Sequence, residues 1–201
     1  MADNYEKIAA SNLQRLYANL PDSLEKNLPA EKYGQNFKFK AFGHTCVISP
    51  EGITLDQKPC PSILAILISL YALYANPEPM IALPFRAFKQ WPDSMPYVGA
   101  FTTHTEQILA PHTANIYSNR SLITTALSGE NAPDDISGDF AFVIRPLPKI
   151  ALCYIFYQED EDFPASVTCL FSQNADRFLP TDGLADTGEY TSRKILELIE
   201  K

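Results

Sequence analysis

The sequence predicts an α+β fold with a mostly antiparallel sheet, and three observations carry that expectation. Phe37 and Phe39 alternate with Lys38 and Lys40 ahead of two more short strand-like runs, "TCVIS" and "ITL". The run "IALCYIFY" at 150–157 is apolar on both faces, which is the pattern of a strand covered on both sides. No regular alternation of strand, helix and strand links these pieces, so a parallel doubly wound sheet is not expected.

Taken in order, the first element is an amphipathic helix from Asp3 to Leu20. Tyr5, Ile8, Leu13, Leu16, Tyr17 and Leu20 form its stripe, Asp3 is placed to cap it and Pro21 to end it. "NFKFKAF", "TCVIS" and "ITL" then predict a small antiparallel meander, with a turn at Pro50-Glu51-Gly52 between the last two. After Pro61, "SILAILISLYALYA" is apolar on nearly every side and predicts a central helix stopped at Asn76-Pro77. Residues 77–101 are rich in proline and aromatics without a period, which suits a long ordered connection of the kind that often carries function.

Thr103 with Glu106 forms a capping-box pattern that predicts a helix start. Pro111 then kinks that helix or opens a second one running to about Leu127, with Leu109, Ile116, Ile123 and Leu127 inward and Gly129 as the stop. "GENAPDDISGD" is the most loop-like run. "DFAFVIR", "IALCYIFY" and "SVTCLFS" are the strands that follow, the last two joined as an antiparallel hairpin. A final helix after Thr181 or Asp186 puts Leu184, Gly188, Thr191, Ile195 and Leu198 on one stripe, and Asp186 with Glu189 repeats the capping-box pattern.

The chain has 201 residues, 46% of them hydrophobic and 20% charged, which matches one globular domain over 1–201. Its net charge of -8 repels a phosphate backbone or an anionic membrane at long range, and no cluster of Lys and Arg reverses this locally. No nucleic-acid partner and no membrane partner are expected. The N-terminus carries no signal-peptide pattern, and the longest apolar stretch is too short to span a bilayer, so a cytoplasmic protein is expected. Cys46, Cys60, Cys153 and Cys169 show no metal or redox spacing and are expected to be reduced.

Several patterns compete for a function. Glu159, Asp160, Glu161 and Asp162 fall on the hairpin loop after "IALCYIFY", where a solvated tip is the first expectation and a divalent cation or a basic partner the alternatives. His44-Thr45-Cys46 with Cys60, and His104 with His112, lack the spacing of a metal motif, so no metal site is expected and no cofactor is indicated. Nucleophile elbows, P-loops and dinucleotide turns are absent. Asp139, Asp160 and His104 are the candidates for acid/base chemistry in a cleft.

The most suggestive stretch is "LPFRAFKQWPDSMPYVGAF", where Arg86 and Lys89 alternate with Trp91, Tyr97 and Phe101. Such a mixture stacks on a flat ligand while a cation holds its carboxylate or phosphate; the same mixture also arises from core aromatics beside surface cations. These five residues are the candidate ligand-binding set.

That stretch, together with "GDFAFVIRPLPKIALCYIFYQEDEDFPASVTCLF" and "ADRFLPTDGLADTGEY", resembles the family catalogued as domain of unknown function 3786. The resemblance covers nearly the whole chain. Its most specific parts are Gly138-Asp139, Pro146-x-Pro148, the acidic loop ending Glu161-Asp162-Phe163-Pro164, and Phe178-Leu179-Pro180-Thr181-Asp182, while Pro92-Asp93-Ser94 stands where a proline-glycine turn is usual. The resemblance implies an anaerobic bacterial or archaeal setting. Some members carry an added cysteine-rich iron-sulfur domain linked to corrinoid and one-carbon metabolism, and this chain lacks that cysteine cluster. The expectation is a non-catalytic accessory protein that binds a small molecule or a protein partner, with a carboxylate or histidine enzyme and a homo-oligomeric scaffold as alternatives.

Overall fold

The computed structural model describes residues 2–200, with side chains from residue 4 onward, and it has the α+β architecture with two antiparallel sheets. Helix α1 (Ala2–Ala18) buries Ala9, Asn12, Leu13 and Leu16. Asp3 lies inside its first turn rather than ahead of it, and its side chain is outside the described residues. A single turn, α2 (Leu24–Asn27), leads into the meander β1 (Glu31–Tyr33), β2 (Asn36–Ala41), β3 (His44–Ser49), β4 (Gly52–Leu55) and β5 (Lys58–Pro59), paired in that order. Phe37, Phe39, Ala41, Cys46, Ile48, Ile53 and Leu55 all face inward, as strict alternation requires.

The β2–β3 turn is unusually constrained. Phe42 and Gly43 both take left-handed backbone (φ 51° and 81°), and a Cβ on Gly43 would sit 2.5 Å from the carbonyl oxygen of Ala126. Phe42 N–H donates to Pro146 O at 2.7 Å, so the turn is clamped onto the second sheet.

Helix α3 (Ser62–Leu73) buries Leu67, Ile68, Ser69, Tyr71 and Ala72, while Ile63 and Tyr74 at its ends remain exposed. It is therefore less enclosed than its composition suggests. Asn12 Nδ2 donates to Ser69 Oγ at 3.0 Å and pins α1 against it. The proline-rich connection holds β6 (Arg86–Ala87), a 3₁₀ turn at Phe88–Gln90 and α4 (Met95–Phe101). From Phe101 the chain does not begin a new helix at Thr103: it widens into a π-helical stretch, Thr102–Gln107. Thr103 is exposed within that stretch, and Glu106 instead accepts the Cys169 N–H at 2.9 Å.

After a 3₁₀ turn at Ala110–His112 come α5 (Thr113–Ser118) and α6 (Arg120–Ala126), broken at Asn119, with Leu109, Ile116, Ile123 and Leu127 buried. Ser128, not Gly129, takes the left-handed position that ends α6 (φ 55°). The second sheet adds β7 (Glu130–Asn131), β8 (Phe140–Leu147), β9 (Ile150–Tyr157) and β10 (Ser166–Phe171) in the spatial order β6-β10-β9-β8-β7. β9 is its central strand and is buried from Ile150 to Phe156. One face joins the main core; on the other, Val143, Ala151, Cys153 and Ile155 are covered by Met80, Phe85, Ala132 and Ile136.

Helix α7 (Thr181–Ile199) starts at Thr181, so Asp186 and Glu189 lie in its interior and form no cap. Glu189 pairs instead with Arg193 at 2.6 Å, one turn on. All four cysteines are free thiols. Among the described residues no helix is long and apolar enough to cross a membrane.

Candidate functional site

The ligand-binding set expected from the sequence divides into a core part and a surface part. Phe88 and Trp91, three residues apart on the 3₁₀ turn, both point inward. Phe88 stacks on Phe101 with ring centroids 4.4 Å apart, and Trp91 meets Phe171 edge-on at 5.0 Å. Trp91 is only 3% exposed, so no flat ligand reaches its ring in this arrangement. Its indole N–H has no partner among the described residues. Arg86 caps the cluster from outside, with its guanidinium 5.4 Å from the Trp91 ring and Nη2 donating to Gln90 O at 3.0 Å. Lys89 and Tyr97 are exposed.

Asp139, Asp160 and His104 are all exposed. Asp139 and Asp160 border one cavity of about 540 Å³ beside Phe163, whereas His104 sits on the π-helical stretch and is not among its walls. Both carboxylates are taken up by backbone N–H groups of the loop that follows β9. Asp139 Oδ2 accepts the Gln158 N–H at 2.6 Å, and Asp160 Oδ1 accepts those of Asp162 and Phe163 at 2.9 and 2.8 Å. Among the described residues no group of three or more His, Cys, Asp or Glu side chains is placed to hold a metal ion.

A different site assembles where the meander meets α7. The β4–β5 turn at Asp56-Gln57 is left-handed at both positions (φ 47° and 66°) and brings Asp56 back to the start of β3. There Asp56 Oδ1 accepts the Thr45 N–H at 2.8 Å and Oδ2 lies 2.6 Å from His44 Nδ1. These two contacts, the histidine's first, hold the Asp56 carboxyl below its ordinary range. A carboxylate only accepts, so Nδ1 carries the hydrogen in this contact.

This dyad lines a cleft of about 490 Å³, whose apolar walls are Phe42, Leu55 and Leu64. Lys58, Arg193 and Lys194 bring three cations to it, against the carboxylates of Asp56 and Glu197. Arg193 and Lys194 are steadied by Glu189 and Glu197 on α7 at 2.6 and 3.0 Å, while Lys58 pairs with no described residue. Tyr190 completes the wall, edge-on to Phe42 at 6.3 Å, and burial followed by the field of Asp186 pushes its phenol up.

Sequence reasoning missed this site because its parts are twelve residues apart within the meander and more than a hundred from α7. The available signal was the register: Cys46 opposite Leu55 sets Thr45 opposite Asp56, with His44 one residue further on.

Comparison with known proteins finds a family model, described as "Domain of unknown function (DUF3786)", that matches residues 21–194. No curated protein matches the chain, and no solved structure matches it either.

Proposed function

The chain belongs to the DUF3786 family, and we propose that it is an accessory protein that binds a small organic anion, a carboxylate or phosphate ester with an apolar body, in the cleft between the meander and α7. One observation carries this reading. Three cations converge on an apolar-walled concavity beside an oriented histidine, in a chain whose net charge is -8. A few fixed polar groups on an apolar wall are what small-molecule sites require, and Lys58, the cation that pairs with no described residue, is placed to meet the charge of an anion. The free thiols support a reducing, cytoplasmic setting, and the role in anaerobic metabolism rests on the family resemblance.

The test is native mass spectrometry of protein purified without oxygen and then offered a panel of small carboxylates and phosphate esters. Adducts that disappear in the Lys58→Ala/Arg193→Ala double variant support the reading. Adducts that persist unchanged in that variant oppose it.

The His44–Asp56 geometry favours a second reading, an acid/base enzyme working in the same cleft. His44 Nε2 would take a proton from a bound acid, and Asp56 would hold the resulting imidazolium. A His44→Gln variant that still binds the anion but loses all turnover distinguishes this from simple binding.

A further inference from the structure

On the other side of Pro59 from the cleft lies a larger cavity, about 650 Å³, between α1 and the meander. Its volume falls within the range of small-molecule sites. The α1 wall presents Ala9, Ala10 and Leu13, and Ile53 and Pro59 face them, so the middle of the groove is apolar. The charged groups stand along its length and are of one sign. Glu51 lies beside Tyr17, whose phenol is pushed up to about 12 by burial and then by the Glu51 charge. Glu6 lies about three helical turns before Tyr17 on α1, about 16 Å from it along the helix axis.

Neither carboxylate is used by the fold: Glu6 and Glu51 are exposed and make no hydrogen bond or ion pair with a described residue. Between them the polar groups are neutral. Gln14 offers an amide, and the Cys60 thiol, pushed up to about 12 by burial, stays protonated at neutral pH. Tyr17 Oη donates to Gln35 O at 2.8 Å and keeps its lone pairs as acceptors.

We propose that this groove binds a linear organic dication, a diamine or polyamine, with one ammonium at Glu51, the methylene chain along the alanine face of α1, and the other ammonium at Glu6. Two carboxylates this far apart cannot share a metal ion, whereas a diamine meets both and lays its chain on the apolar wall between. The charge of the rim disfavours an organic anion. The site is independent of the anion cleft.

Isothermal titration with hexane- to dodecane-based α,ω-diamines and the matching monoamines tests this. Affinity is expected to rise with chain length until both ends are reached, and the long diamines to bind more tightly than monoamines of equal length. Glu6→Gln and Glu51→Gln each weaken the long diamines roughly fivefold, as for exposed charge pairs. Ala10→Trp, a change at an exposed position that fills the groove, removes binding, and Lys58→Ala leaves it unchanged. Thermal melts confirm that each variant is folded. Monoamines binding as tightly as diamines, or diamine affinity unaffected by all three groove substitutions in folded protein, overturns the proposal.

Discussion

The His44 imidazole and the Asp56 carboxylate meet at 2.6 Å across the open end of the meander, and Thr45 N–H holds the same carboxylate from its other oxygen. This arrangement fixes the ring at the wall of the cleft. Because Asp56 is held below its ordinary value, its contribution to stability is present above the unfolded carboxylate range, near 3.8, and is lost as pH falls through the lower folded value. Asp56→Asn is expected to melt below the wild type at pH 7, with the gap closing under pH 4. Thermal melts across that window check it; a gap that persists at low pH contradicts the assignment.

Trp91→Ala removes a ring that packs against Phe88 and Phe171 and should lower stability by about 3–5 kcal/mol. Arg86→Ala removes a cation over the outer edge of that cluster and its exposed hydrogen bond to Gln90 O, and about 1 kcal/mol is expected. Urea unfolding of the two variants separates a core segment from a ligand platform. Equal and small losses would mean that Trp91 is not packed as described.

Glu106 shows the opposite sign of linkage. Burial raises its pKa against the help of the Cys169 N–H, so protonated Glu106 stabilises the fold and that stability is lost as pH rises through the raised value. Glu106→Gln keeps the acceptor for Cys169 and removes the charge. The variant is expected to melt above the wild type at pH 7 and level with it near pH 4, which a pH series of melts reads directly.

Gly43→Ala would place a Cβ 2.5 Å from Ala126 O at a left-handed position. A loss of about 1–3 kcal/mol is expected. Since Phe42 and His44 flank this turn, anion binding should weaken with it, as titration of the folded variant would show.

The fold was legible where one physical signal dominated. Phe37 and Phe39 against Lys38 and Lys40 set the inward face of β2, and apolarity on both faces marked β9 as central. Local signatures failed where a longer element overrode them. Thr103 with Glu106 has the form of a cap, but the helix beginning at Met95 is already running there, and Glu106 is drawn to β10. Asp186 with Glu189 has the same form inside α7. The cleft was illegible because the Asp56-Gln57 turn carries no glycine or asparagine to announce its left-handed backbone, and because α7 reaches the meander only in three dimensions. Trp91 misled for a simpler reason: an aromatic beside cations reads alike whether its ring faces a ligand or Phe171.

The most direct test of the anion cleft is chemical-shift mapping on isotopically labelled protein titrated with the small carboxylates and phosphate esters. Binding in the cleft gives saturable shifts centred on the His44 ring, Leu64, Tyr190 and Arg193, weakened roughly fivefold by Lys58→Ala. Saturable shifts centred elsewhere, or none at these residues at millimolar ligand, would contradict it.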